Sequence, residues 1–204
     1  MLDAAEEIAC DTGLGGLTLT AVQQRAGQAN KSAAAYHFGS RTGLLSALTA
    51  RRMGPIDEDR RQMLDALGPD CVDLRTLSLA LVLPLARATI MVPGSRYARF
   101  LAQAFLDPQL GELVLGQPEG SSFREVRELM HRALSAHLDD ALADARLASA
   151  LAMVITTCAL HEGHPDWGAD PIVVDDLAAT TLALLTAPAP THAATPPHTL
   201  RRDA

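Results

Sequence analysis

Apolar residues recur every three or four positions along most of this chain, and glycine, alone or beside proline, closes nearly every such run. That spacing puts the apolar side chains on one face of a helix, whereas a half-buried strand alternates every second residue. No run rich in Val, Ile and Thr shows that alternation. The nearest, Ile172 to Val174, leads into Asp175-Asp176-Leu177 and fits a helix better. Hydrophobic residues make up 48% of the 204 and aromatics 3%, so the core must be built from Leu, Ala and Val, the first two of which are strong helix formers. The expected fold class is all-α.

Met1 to Asp11 reads as an amphipathic helix, not a secretory leader, with Leu2, Ala5, Ile8 and Ala9 on its apolar face and Gly13 and Gly15-Gly16 ending it. Thr18 caps a second helix, Leu19 to Ala26, and Gly27 stands where a helix closes in a left-handed turn. Asn30 caps a third over Lys31 to Phe38, which Gly39-Ser40 breaks. Thr42 caps a fourth, interrupted after Met53 by Gly54-Pro55 because proline lacks the amide a helix interior needs. Further helices are expected over Glu58–Leu67, Asp73–Ile90 with a kink at Pro84, Tyr97–Phe105, Ser121–Leu138, Ala141–His161 and Pro171–Leu185, with a turn at Leu110–Leu115. Residues 187–204, rich in Pro, Ala, Thr and His without apolar periodicity, are expected to be a disordered tail. No apolar run reaches the roughly 20 residues that span a bilayer, and the expectation is a soluble, cytoplasmic protein with no membrane partner. Cys10, Cys71 and Cys158 are widely spaced and read as reduced core thiols, with a redox-sensing thiol as the alternative.

The net charge of −7 argues against nucleic acid, but its distribution does not. Between Asp11 and Asp57 there is no acidic residue, and that stretch holds Arg25, Lys31, Arg41, Arg51 and Arg52. A phosphate backbone responds to such a local field. The same window contains a helix, a glycine turn and a shorter helix between Thr18 and Phe38, the arrangement that lets a second helix enter the major groove while the first braces it. Asn30, Lys31, Ser32 and Ala33-Ala34-Ala35 make that second helix narrow and polar-tipped. Tyr36 and His37 are suited to phosphates and Phe38 to anchoring.

These residues resemble the tetracycline-repressor (TetR) family of transcriptional regulators. The likeness is carried by Leu2-Asp3-Ala4-Ala5, Gly13, Leu17-Thr18-Leu19, Arg25-Ala26-Gly27, Tyr36-His37-Phe38-Gly39-Ser40-Arg41 and Leu44-Leu45, roughly the first quarter of the chain. The turn from Gly27 to Lys31 is one residue longer than the family pattern. Arg41 replaces the customary lysine, and the usual tyrosine falls at Tyr36 or His37. The resemblance implies a helix-turn-helix DNA-binding domain over 1–50 and a helical ligand-binding and dimerisation domain over 51–186. It implies a homodimeric repressor on a palindromic operator, released by a small-molecule effector, with no cofactor and no enzymatic activity. The candidate DNA-contacting residues are Thr18, Thr20, Gln28, Asn30, Lys31, Ser32, Tyr36, His37 and Arg41.

Other patterns admit two readings each. His161-Glu162-Gly163-His164 has two histidines that could hold zinc, but Gly163 and Pro165 end the helix between them, so a helix C-terminus favoured by histidine is the plainer reading. A helical metal-dependent hydrolase using His161, Glu162, His164 and Asp166 is one rival function; a helical interaction module without DNA binding is another. Arg87, Arg96 and Arg99 fit ion pairs with Asp107 or Glu112, or a ligand carboxylate. Met91, Phe100, Phe105 and Phe123 fit plain core or a ligand cavity, and Trp167 core, interface or a pocket wall. The stripes Leu147, Leu151, Val154, Ile155, Cys158 and Leu177, Thr181, Leu184, Leu185 are expected to form a four-helix dimer interface.

Overall fold

The computed structural model describes residues 1–30, 32–67, 73–107, 110–111, 121–164 and 171–189. Lys31, Cys71, Glu112, Asp166, Trp167 and the tail from residue 190 therefore lie outside the described residues. Every long element among the described residues is a helix: α1 Leu2–Thr12, α2 Leu19–Arg25, α3 Ala33–Phe38, α4 Arg41–Leu67, α5 Leu74–Ala88, α6 Tyr97–Leu106, α7 Ser121–Ser135, α8 Asp140–His161 and α9 Pro171–Thr186. A single turn of 3-10 helix, Leu14–Gly16, follows α1.

The expected bounds of α4 and α7 are corrected. Ser40, not Thr42, caps α4, its hydroxyl accepting the Gly43 amide at 3.0 Å. The helix then runs unbroken through Gly54-Pro55 to Leu67. Proline in a helix interior costs about 3 kcal/mol. Met53, Ile56, Arg60 and Leu64 lie on one buried stripe that crosses it, so packing on both sides outweighs the lost bond. Farther along, α7 stops at Ser135, with the His137 and Leu138 amides closing it on the Leu134 carbonyl at 2.9 and 3.0 Å.

Helices α1 to α3 pack together at one end, against the first half of α4. The remaining helices form a bundle in which α4 packs on α5 and α7, α6 on α8, and α9 on both α5 and α8. One hydrophobic core runs through both parts, from Ala4 in α1 to Leu185 in α9. Residue 50 falls inside α4, so the two parts share a continuous helix and not a linker.

Candidate nucleic-acid interface and the cavity behind it

The turn between α2 and α3 is built from backbone chemistry. Thr18 opens α2 by accepting the Ala21 amide at 3.1 Å. At the other end Gly27 adopts φ +65°. Its amide bonds the Gln24 carbonyl at 3.1 Å, and the Gln28 amide reaches back to Gln23 at 3.1 Å. This paired closure satisfies the last carbonyls of α2 and requires a residue without Cβ strain at position 27. Asn30 then folds the chain into α3, its side-chain oxygen accepting the Ser32 amide at 3.0 Å and its carbonyl the Ala33 amide at 3.1 Å. Asn30 thus shapes the turn, while Ser32 takes the cap position without a side-chain cap bond.

Ala33 and Ala34 are the buried face of α3, which packs on α2 and α4. Thr18, Thr20, Gln28, Asn30, Ser32, Tyr36, His37 and Arg41 are all exposed, Tyr36 at 85%. Lys31, the remaining candidate contact, lies outside the described residues. Gly43 sits where α4 meets the end of α3: a Cβ there would stand 2.1 Å from the Phe38 carbonyl oxygen, so only glycine admits this approach.

The acid-free stretch of sequence is not an acid-free surface. Arg25 pairs with Glu7 and Asp11 at 3.3 and 3.1 Å, Arg51 with Asp3 at 3.0 Å, and Arg52 with Glu6 at 2.6 Å. Helix α1 therefore neutralises three of the five cations. Arg41 is committed elsewhere: its Nε donates to the Leu17 carbonyl at 3.0 Å and its Nη2 to the Leu14 carbonyl at 2.7 Å. It fastens the start of α4 to the segment that precedes α2.

Helix α6 packs on α1 and the 3-10 turn and ties this unit to the bundle. The Gln103 carboxamide donates to the Ala9 carbonyl and accepts the Leu14 amide, both at 3.1 Å. Arg96 pairs with Asp11 at 3.1 Å.

Behind α4 lies an apolar cavity among α4, α5, α6, α7 and α8, lined by residues including Met53, Ile56, Leu85, Leu101, Phe123 and Ile155. Its free volume is about 30 Å³, room for little more than a water molecule. One charged residue, Arg60, is part of this lining. It is 3% exposed, its Nε donates to the Ala80 carbonyl at 3.0 Å, and its guanidinium lies 5.8 Å from the centre of the Phe123 ring. Its Nη1 is buried without a hydrogen-bond partner. Burial pulls its pKa down to about 10, against weaker support from Asp57 and Asp59. Both carboxylates are occupied, Asp57 by the Ser122 amide at 2.9 Å and the hydroxyls of Ser121 and Ser122, Asp59 by Arg87 at 2.9 Å. Sequence reading missed Arg60 because it ended the helix at Gly54-Pro55, although the spacing Met53, Ile56, Arg60, Leu64 placed it on the apolar face.

Several of the paired readings are now decided or redirected. Glu162 is fully buried and caps α6, accepting the Ser95 hydroxyl at 2.6 Å, the Ala98 amide at 3.0 Å and the Arg99 amide at 3.0 Å. Its carboxylate is thus spent on backbone, and no cluster of three metal-ligating side chains occurs among the described residues. Arg87 pairs with Asp59 and Arg96 with Asp11, not with Asp107, and Arg99 donates to the Glu162 carbonyl at 2.8 Å. Of the four residues considered for a cavity, only Phe123 lines this one. Phe100 stacks on Tyr97 at 5.8 Å, Phe105 is half-buried, and Met91 is exposed. Burial pushes the thiol pKa of Cys10 up to about 11 and of Cys158 to about 12, which favours the protonated thiol of both at neutral pH.

Helix α8 is, by length and composition alone, apolar enough to cross a membrane, although Asp144 and Arg146 interrupt its apolar run. The stripes assigned to a dimer interface mostly face inward: Leu147, Val154, Ile155, Cys158, Leu177, Thr181 and Leu185 are buried within the single chain, with Leu151 and Leu184 half-buried. Sequence periodicity marks a buried face without saying whose atoms bury it.

No family model matches the sequence, and no curated protein matches it. Among solved structures, the fatty acid degradation regulator FadR from Bacillus halodurans is similar, with a TM-score of 0.57 at 15% identity, over 92% of this chain and 97% of that one. The TetR family repressor AlkX from Dietzia sp. strain DQ12-45-1b is also matched, at a TM-score of 0.39 and 18% identity, over 90% of this chain and 92% of that one. The first likeness is one of overall fold.

Proposed function

We propose that this protein is an effector-responsive, DNA-binding transcriptional regulator that acts as a homodimeric repressor on a palindromic operator. The observation that carries the reading is the exposed face of α3. It is held in a fixed pose by the Gly27 turn and the Gly43 contact, with Ser32, Tyr36 and His37 exposed along it. Residues 1–50 would be the DNA-binding unit and 51–186 the effector and dimer unit. Ser32 at the cap of α3, with Tyr36 and His37 on it, would enter the major groove, and Lys31 would meet a phosphate. Thr18, Thr20, Gln28 and Asn30 would meet the backbone. Arg41 serves chiefly by holding α4 to Leu14 and Leu17.

The coupling element in this reading is α4, which carries Arg52 against α1 and Arg60 against the cavity. A ligand that widens a cavity of this size would have to shift its walls, and α4 would carry the shift to the DNA-binding unit. In a dimer that changes the separation of the two α3 helices from the roughly 34 Å repeat of DNA. The surface offered to a second copy is the outer side of α8 and α9, where Ala145, Ala148, Leu160, Ile172, Ala179 and Ala183 are exposed. Burying it would also account for an α8 as apolar as a membrane helix in a cytoplasmic protein.

A mobility-shift assay with duplex DNA flanking the protein's own coding sequence, paired with light scattering, tests this. Expected are a dimer and a retarded band abolished by Tyr36→Ala with His37→Ala. A monomer at micromolar concentration, or a band untouched by those substitutions, contradicts it.

A further inference from the structure

Arg60 is a cation without a counter-ion in an apolar enclosure. It is 3% exposed, its Nε is taken by the Ala80 carbonyl, and its Nη1 has no partner. Among the described residues no carboxylate lies within ion-pair distance of it. The three acidic residues just before it are already engaged, Asp57 by the start of α7, Glu58 by Gln62 and Asp59 by Arg87. A buried charge is costly unless paired, so a protein that keeps one has a reason to. Its remaining surroundings in the cavity are aliphatic or aromatic, with Met53, Ile56, Leu85, Leu101 and Phe123 among them.

We propose that Arg60 is the recognition point for the carboxylate of an anionic amphiphile whose apolar body fills the widened cavity. This rests on the reading of the chain as an effector-responsive regulator and names the chemistry of the effector. The apolar walls select against a polar body. With Nε taken by the Ala80 carbonyl, a carboxylate would be met at the terminal nitrogens of the guanidinium, the unpartnered Nη1 among them. The free volume, about 30 Å³, cannot admit such a molecule without displacement of the walls. Met53, unbranched and on the same helix as Arg60, is the side chain best able to yield. Binding therefore loads α4 directly, one turn or two from Arg52 and its bond to Glu6.

The test uses the full chain and two probes with the same eight-carbon body, octanoate and 1-octanol, in calorimetric titrations. The expected result is octanoate binding at least about tenfold tighter than octanol, a difference of one charge-assisted contact. Arg60→Met should bring octanoate down to the octanol level with octanol unchanged, which also shows that the variant is folded, and Arg60→Lys should fall between. No octanoate binding at millimolar concentration, equal binding of the two probes, or octanoate affinity unaffected by Arg60→Met overturns the proposal. A parallel mobility shift separates the two readings. DNA binding without octanoate binding sinks this inference and leaves the regulator standing. Arg60-dependent octanoate binding without DNA binding supports the site and sinks the regulator.

Discussion

The Glu6 carboxylate accepts two bonds from the Arg52 guanidinium, at 2.6 and 2.9 Å, and joins α1 to α4 where the N-terminal unit meets the bundle. The pair is asymmetric: the Glu6 side chain is 5% exposed and that of Arg52 33%. Arg52→Ala should therefore cost about 2 kcal/mol, below the usual range for a fully buried pair because solvent reaches the arginine. Replacing both, with Glu6→Met and Arg52→Leu, should recover most of that loss, since no buried charge remains. Urea unfolding measures both, and a double variant as unstable as Arg52→Ala would contradict the argument.

Gly43 offers a cleaner probe of the DNA-binding pose. A Cβ at this position meets the backbone oxygen of Phe38 at 2.1 Å, and backbone cannot rotate away. Gly43→Ala must push the end of α3 off α4, at a cost of about 1–3 kcal/mol of overpacking. DNA affinity is expected to fall by about tenfold or more while octanoate binding stays put. Retained DNA affinity would mean that the α3 pose is not what the interface depends on.

The salt dependence of DNA binding should sort the cations by their partners. Lys31→Ala should flatten the slope of log K against log salt by about 1 unit, as loss of one phosphate contact does. Arg25→Ala and Arg51→Ala remove charges already answered by Glu7, Asp11 and Asp3, and should move the slope by less than about half a unit. Equal slopes for all three variants would return the interface to the simple acid-free-window picture.

The contrast between local and distant partners also explains what the sequence disclosed. The Thr18 cap and the Gly27 closure were legible because donor, acceptor and glycine lie within a few residues, as was the order of helices. The ends of α4 were not, because Pro55 is a local stop overruled by packing against other helices. The roles of Asp57 and Glu162 were hidden for a related reason: each caps a helix whose start lies 64 or more residues away. The charge pattern misled most. Residues 12–56 are acid-free in sequence, but α1 folds its carboxylates back onto them.

Glu162 yields a prediction that discriminates between a structural carboxylate and a metal ligand. Its two oxygens accept from Ser95, Ala98 and Arg99, and a glutamine would turn one acceptor into a donor facing an amide. Glu162→Gln should destabilise the protein by about 1–3 kcal/mol. Zinc added to either protein should leave the melting temperature where it was. A zinc-dependent rise in the parent that Glu162→Gln abolishes would revive the hydrolase reading.

Arg60→Met should make the ligand-free protein more stable, an unusual outcome for a substitution at a 3%-exposed position. The methionine keeps most of the side-chain length against Phe123 and removes a buried charge without a counter-ion, so a gain of about 1–3 kcal/mol is expected at pH 7.5. The sign of its pH dependence follows from the depressed pKa of about 10 against an ordinary value of 12.5. In that interval the unfolded chain holds the proton that the folded chain releases, so the parent gains stability as pH rises. The advantage of the variant should therefore be constant from pH 7.5 to 9 and narrow by pH 10.5. Comparing variant with parent at each pH cancels the titration of every other group, Asp57 and Asp59 included. A variant less stable than the parent at pH 7.5 would mean that the Arg60 charge is compensated within the protein, and would remove the reason for a ligand carboxylate to bind there.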